Sequence, residues 1–381
     1  MTTPVMTIPD LEINRRLTVL PLQELFTPGH RTCQGCESSL VMRYMAKVAG
    51  PRTVVTGTTG CMYVANTSYN STPWALPWAH TQLGAAGSSA IGTAAGLKAL
   101  MRKGRIRDEK INVIAFCSDG GGGDMGLSAL SAAMQDTRYN LLILLYDNES
   151  YANTDIQASG MTPWGAVTAF TPSGTEKRIT HHRWKKNVPA LLMAGHPQGR
   201  YFANASSGFG MDLMEKVRIA LDVGGPTFVQ THDPCPKGWD YDPRQSHELA
   251  VLAVQCGINV LWDFLDGELR YQGLTRQMVE GRLRRKPVAG YLGRQGRFAH
   301  FTDSDIDFFQ SKIDEMWDEW ILPGVVRVKQ TPLGTLPHPS TAPGPAEAEA
   351  GLDEPAGAEP AQALSAPGPA AAPGSAGGHG G

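Results

Sequence analysis

Apolar and polar positions change period several times along this chain. Short continuous apolar runs at Ile111–Cys117, Leu141–Tyr146 and Thr227–Thr231 have the length and β-branched content of buried strands. The segment TVVTG at 53–57 is also strand-like. Between them lie stretches of helical character, such as Gly84–Met101, whose Gly, Ala and Ser content suits close packing on a sheet or a second helix. From Thr27 to about residue 325 this alternation predicts an α/β fold. Residues 1–26 read as an N-terminal arm without strong periodicity, and 27–262 as the main domain. Residues 263–330 read as a C-terminal peripheral region, with a charged, aromatic helix over Asp303–Trp320 stopped by ILPG. Residues 331–381 are mainly Ala, Pro and Gly, without an aromatic residue, Lys or Arg. Such a tail buries too little apolar surface to offset its ordering entropy, so disorder is expected there.

Composition narrows the function. With 34 Lys and Arg against 36 Asp and Glu the net charge is −2, so no electrostatic footprint for nucleic acid exists. No basic run suggests an anionic membrane surface, and no apolar run approaches the roughly 18 residues needed to span a bilayer. The N-terminus lacks the pattern of a secretory signal. A cytoplasmic protein is expected, with no nucleic acid and no membrane among its partners.

Candidate chemistry falls at strand ends. Asp119 follows the run 111–117 in CSDGGGGDMG, and Asn148 follows the run 141–146 in YDNES. Parallel strands joined by one helix bring their C-terminal ends side by side, where open α/β sheets bind ligands. A carboxylate and an amide oxygen there suit Mg²⁺, which keeps other positions for water and substrate phosphates. Glycines 120–123 let backbone N–H groups approach a diphosphate. In that order the parts look like the thiamine diphosphate motif.

Six cysteines supply a second constellation. Cys33 and Cys36 form a C-x-x-C pair on a turn entering a helix. Cys61 and Cys235 follow strand-like segments, with Gly or Pro beside them, and could meet that pair in space. Four thiolates fit a zinc ion or an iron–sulfur cluster, and spacing alone does not choose between them. Cys117 and Cys256 lie in apolar stretches and read as small buried hydrophobes.

Together, TPGHRTCQGCESS, TTGCMYV, PWAHTQLGAAGSSAIGTAAGLKAL, FCSDGGGGDMGLSALSAAMQ, LLYDNESYANTDIQASGMTPWGA, HDPCPKGW and GYLGRQGRF resemble one family, in its order and over about residues 24–325. It is the beta subunit of pyruvate:ferredoxin oxidoreductase and related 2-oxoacid:ferredoxin oxidoreductases. The resemblance implies a thiamine diphosphate-binding fold (the diphosphate-binding half), a largely parallel sheet with helices on both faces. It implies Mg²⁺ held by the Asp119 carboxylate, the Asn148 side-chain oxygen and the Ser150 carbonyl, with Gly120 and Gly121 admitting the diphosphate. Asn153 would face the substrate and the thiazolium as the catalytic residue. Cys33, Cys36, Cys61 and Cys235 would hold a [4Fe–4S] cluster. His80 aligns with a family His in the loop before the small-residue helix, as a cofactor-binding candidate.

The activity implied is oxidative decarboxylation of a 2-oxo acid, pyruvate first, with CoA to acyl-CoA, CO₂ and reduced ferredoxin. Branched-chain or aryl 2-oxo acids (2-ketoisovalerate, indolepyruvate, phenylglyoxylate) are the alternatives, followed by a non-oxidative thiamine diphosphate decarboxylase. The chain lacks a motif for the Glu that thiamine enzymes need near the aminopyrimidine. In the family that Glu comes from the alpha subunit, so a hetero-oligomer is implied, together with ferredoxin or a ferredoxin-like cluster subunit. Four positions depart from the family pattern: Ser118 and Glu37 stand where Gly is usual, and Asp155 and Ala158 where the pyruvate enzymes often have Gly and Arg.

Overall fold

The computed structural model describes residues 21–67 and 72–324. Of two compact units, Met1–Gln330 and Thr331–Gly381, the second lies wholly outside the described residues, as do residues 1–20 of the arm. The expectations for the tail and for most of the arm therefore fall outside them.

Among the described residues of the first unit are eight strands: β1 Thr53–Thr58, β2 Trp78–Thr81, β3 Asn112–Ser118, β4 Leu141–Asp147, β5 Tyr201–Ser206, β6 Pro226–His232, β7 Trp262–Leu265 and β8 Glu268–Tyr271. They form one sheet in the order β2-β1-β3-β4-β6-β5-β7-β8. The first six pair in parallel, and β7 and β8 continue the sheet antiparallel. This is the largely parallel α/β sheet expected from the motifs.

Side-chain alternation makes two cores from one sheet. Along β3, Val113, Ala115 and Cys117 enter one core while Ile114 and Phe116 enter the other. Along β4, Leu141, Ile143 and Leu145 face the first, and Leu142, Leu144 and Tyr146 the second. A strand buried on both faces must be apolar at every position, which is why these runs are continuous rather than alternating. Helices Ala86–Arg102, Leu127–Gln135, Val188–Gly195 and Ser246–Gln255 cover one face; Glu37–Ala49 and Gly210–Asp222 cover the other.

The small-residue helix Ala86–Arg102 explains its own composition. A Cβ on Gly87 would collide with the Ala129 carbonyl oxygen on helix Leu127–Gln135. Gly87→Val is expected to destabilise the fold by about 1–3 kcal/mol through overpacking. The midpoint of denaturant unfolding reads this directly, and an unchanged midpoint would refute so close a contact.

Several elements were not read from the sequence. Strand β2 is short, with Ala79 and His80 exposed between half-buried ends, and β5 carries Asn204 and Ser206 among its apolar residues. Segment 263–330 contributes β8 and most of β7, joined by Asp266–Gly267 with φ of 48° and 96°. An Asp-Gly pair between apolar runs is a tight-hairpin signal that the sequence did contain. The expected helix begins at Asp303, capped by Thr302 with Asp305, and buries Phe309 and Ile313 in the first core. Among the described residues no helix is long and apolar enough to cross a membrane.

The strand order decides where a ligand can bind. From β1 the sheet grows to β2 on one side and to β3 on the other. Connections that leave in opposite directions open a crevice at the C-terminal strand ends.

Candidate active site

Strand β3 ends at Ser118, whose extended backbone (φ −81°, ψ 172°) leads into a π-helical turn over Asp119–Asp124. The Ser118 hydroxyl accepts a hydrogen bond from Gly121 N at 3.3 Å. The departure from Gly at this position therefore leaves the turn intact and adds a bond to it. A Cβ on Gly120 would strike the Tyr151 ring, and one on Gly121 would lie 2.6 Å from Thr58 Oγ1. Both positions tolerate only a bare backbone. Asp119 is fully buried, and its Oδ2 accepts a 2.6 Å bond from Ser159 Oγ.

The end of β4 faces this turn. Asn148 Oδ1 lies 2.9 Å from the Ser150 carbonyl oxygen and 3.2 Å from Asp119 Oδ1, so three acceptors converge without a donor between them. Turning the amide over would make two hydrogen bonds; a cation among the oxygens would satisfy them as they stand. Neighbouring ligand oxygens of an octahedral Mg²⁺ at about 2.1 Å lie roughly 3 Å apart. The spacing and hardness of this donor set fit that ion. Among the described residues no three His, Cys, Asp or Glu side chains are grouped as around a metal, but two of these three donors are an amide and a backbone carbonyl.

Behind the oxygens is a charge network the sequence did not reveal. Glu149, 2% exposed, accepts bonds from Arg297 (2.6 Å), Lys185 (2.7 Å) and His232 Nε2 (3.2 Å). Burial raises the pKa of the Glu149 carboxyl, but Lys185 and Arg297 outweigh it and hold it well below the usual range. Lys185 also pairs with Asp147 at 2.5 Å. The Arg297 guanidinium stacks 3.9 Å from the Trp239 ring centre, and Trp239 Nε1 donates to the Asn148 carbonyl at 2.9 Å. Arg297 lies within the motif GYLGRQGRF, the one signal that pointed toward it.

The four predicted cysteines lie in three loops, and among the described residues they are not grouped as around a metal. Cys36 N bonds the Cys33 carbonyl at 3.2 Å in the turn before helix Glu37–Ala49. Cys61 follows β1 and Cys235 follows β6. Burial raises the Cys36 thiol pKa, and the charges of Cys235, Cys61 and Cys33 raise it further. Burial pushes Cys61 up to about 12, with Cys235 and Cys33 adding to it and an Asn153 side-chain bond opposing. Cys235, raised by burial, accepts a 3.3 Å bond from Gly238 N and feels Cys33 as well. Cys117 and Cys256 are buried in the first core, as expected of small hydrophobes.

A cavity of about 50 Å³ lies between Cys61 and the end of β4: Cys61 and Asn153 line it together with Ser118, Asn148 and Ser150. A larger one, about 620 Å³, opens at the other end of the sheet beside Asn112, Leu141 and Gly225, and carries none of these groups. His80 lies on β2 rather than in a loop, because its backbone is in register with Gly57 of β1. Its Nε2 is 3.0 Å from Thr59 Oγ1, and burial lowers its pKa. Glu37 opens its helix buried, with Oε2 unpartnered. Asp155 and Ile156 carry φ of 80° and 66°, a strained conformation for a β-branched residue.

The fold is that of a thiamine diphosphate enzyme. The family described as "thiamine pyrophosphate enzyme, C-terminal TPP binding domain" matches residues 35–231. Over 77% of its length the chain is 43% identical to pyruvate synthase subunit PorB of Methanocaldococcus jannaschii, covering 96% of that protein. It is 41% identical over 79% of its length to pyruvate synthase subunit PorB of Methanothermobacter thermautotrophicus, covering 98%. Ketoisovalerate oxidoreductase subunit VorB of Pyrococcus horikoshii is 35% identical over 82% of the chain and 97% of its own length. A solved 2-oxoglutarate:ferredoxin oxidoreductase from Magnetococcus marinus overlaps 76% of this chain and 97% of that one, at 17% identity and a TM-score of 0.44, too distant to add to these. The chain belongs to the family of thiamine diphosphate-binding beta subunits of pyruvate:ferredoxin and related 2-oxoacid:ferredoxin oxidoreductases.

Proposed function

We propose that this chain is the thiamine diphosphate- and [4Fe–4S]-binding subunit of an enzyme that oxidatively decarboxylates pyruvate with CoA. The products are acyl-CoA, CO₂ and reduced ferredoxin. The observation that supports the reading is the cavity lined by Cys61, Asn153, Asn148 and Ser150, which sets one of the predicted thiols beside two of the three residues whose oxygens converge. Bound thiamine diphosphate supplies the carbon nucleophile and electron sink for decarboxylation, and the protein's share is binding, orientation and electrostatics. Asp119, Asn148 and Ser150 would hold Mg²⁺, while Gly120 and Gly121 keep the backbone open to the diphosphate. Asn153 would face the substrate. Cys33, Cys36, Cys61 and Cys235 would hold the cluster as the electron acceptor, and their soft thiolates suit iron and sulfur.

Pyruvate is favoured by the relatives named pyruvate synthase, at 41% and 43% identity against 35% for the ketoisovalerate subunit. Ketoisovalerate is the second reading, favoured by Asp155 and Ala158 on the substrate-side loop. The relatives are named as subunits, which supports a hetero-oligomer in which an alpha subunit brings the pyrimidine-binding half and its Glu. The isolated chain is therefore expected to turn over no 2-oxo acid. The test is an anaerobic assay of the co-purified complex on a panel of 2-oxo acids, with CoA and a viologen dye. Pyruvate should reduce the dye fastest. Absence of iron and acid-labile sulfide would sink the redox reading and leave the non-oxidative decarboxylase.

A further inference from the structure

Residue 149 separates two of the three converging oxygens. Its backbone is left-handed, with φ of 65°, a conformation that a residue with a Cβ adopts only when its surroundings impose it. Four constraints do so. Glu149 N donates to Asp147 Oδ1 (3.1 Å), and the Glu149 carbonyl accepts from Thr162 Oγ1 (2.6 Å). The preceding carbonyl, of Asn148, is held by Trp239 Nε1. The side chain is clamped by Arg297, Lys185 and His232. Because the chain kinks at 149, the Glu149 carboxylate reaches the cations while the Asn148 side chain and the Ser150 carbonyl meet Asp119.

Two further facts tie the clamp to Asp119. A hydrogen-bond chain runs from Asp119 Oδ2 to Ser159 Oγ, from Ser159 N to Thr162 Oγ1, and from there to the Glu149 carbonyl. The carboxylates of Asp147 and Glu149 are matched by Lys185 and Arg297, so the clamp adds no net charge beside the oxygens. A buried network balanced in this way orients its neighbours without competing for a cation.

We infer that Glu149, gripped by Arg297, Lys185 and His232, is a positioning residue that sets the spacing of the Asn148, Ser150 and Asp119 oxygens for a divalent cation. The inference rests on reading those oxygens as the Mg²⁺ site. Outer partners that orient metal ligands typically change metal affinity by about 10–100-fold when removed. Arg297 is the informative position, because it touches Glu149 and none of the three oxygen donors.

The test uses the assembled complex, stripped of thiamine diphosphate and metal. Mg²⁺ is then titrated against cofactor binding followed by calorimetry, with folding checked by circular dichroism. Arg297→Met should raise the Mg²⁺ concentration for half-saturation about 10–100-fold. Arg297→Lys keeps the charge but loses the planar stacking on Trp239, and should give a smaller rise, about 3–10-fold. If Arg297→Met does not fold, Arg297→Lys decides. Half-saturation within twofold of the parent in every folded variant overturns the inference. Asp119→Ala, run alongside, should lose Mg²⁺-dependent binding. If it binds like the parent, the reading of the oxygens as a metal site fails first, and the clamp inference falls with it.

Discussion

Asp119→Ala is expected to abolish retention of thiamine diphosphate by the purified complex, with Mg²⁺-dependent binding reduced at least about 100-fold. Asp119 is the charged member of the three-oxygen set, and an amide with a carbonyl cannot hold a hard dication alone. The same carboxylate should carry a cost in the cofactor-free protein. Burial, then the charge of Asp147, raises its pKa well above the usual aspartate range. An aspartate with a raised folded-state pKa opposes folding at neutral pH, because the unfolded chain ionises freely. The stability it withdraws is absent below the unfolded pKa and grows as pH rises toward the folded one. Asp119→Asn should therefore raise the unfolding temperature of the stripped protein at neutral pH while lowering that of the cofactor-loaded protein. Opposite shifts distinguish a binding site from a structural residue. A loss of stability in both states would count against the metal assignment.

Cys235→Ser is the second large effect. Serine is close in size, and Cys235, beyond the end of β6, packs against the rim of the first core, where a hydroxyl can still accept the Gly238 N–H bond, so the fold should survive. The hydroxyl does not replace a thiolate toward iron, and the complex should lose cluster iron and sulfide and reduce viologen below detection. Thiamine diphosphate should still be retained, since Asp119, Asn148 and Ser150 keep their places. On the proposed reading the two substitutions should divide the site: one is expected to remove the cofactor, the other the electron exit. Dye reduction at the parental rate by Cys235→Ser would remove the four-cysteine assignment.

The parts of this site that were readable were local ones. Asp119 and Asn148 each follow a continuous apolar run, and a parallel strand leaves its C-terminal neighbours where ligands bind. The Cys33/Cys36 spacing is a property of four consecutive residues. Even the serine before Asp119 could be judged in advance, because a strand end asks only for ordinary extended dihedrals. What escaped was non-local or ambiguous. Trp78–Thr81 is too short and too exposed to carry a strand pattern. Glu149 and Arg297 are separated by 148 positions, and no periodicity reports a pair so distant. Lys185 stands in no recognisable motif within HHRWKK, yet its ammonium contacts Asp147 and Glu149.

The sequence by itself determined the class of the fold, the place of its most apolar strands and the candidate chemical donors, because burial on two faces and ligand type are written residue by residue. Tertiary structure decided which donors meet. It set Cys61 beside Asn148 and Ser150 on one cavity, turned the Asn148 and Ser150 oxygens onto Asp119, and placed Arg297 behind Glu149. Those meetings depend on loop conformations and long-range packing, whose energies are shared among many residues and belong to no single motif.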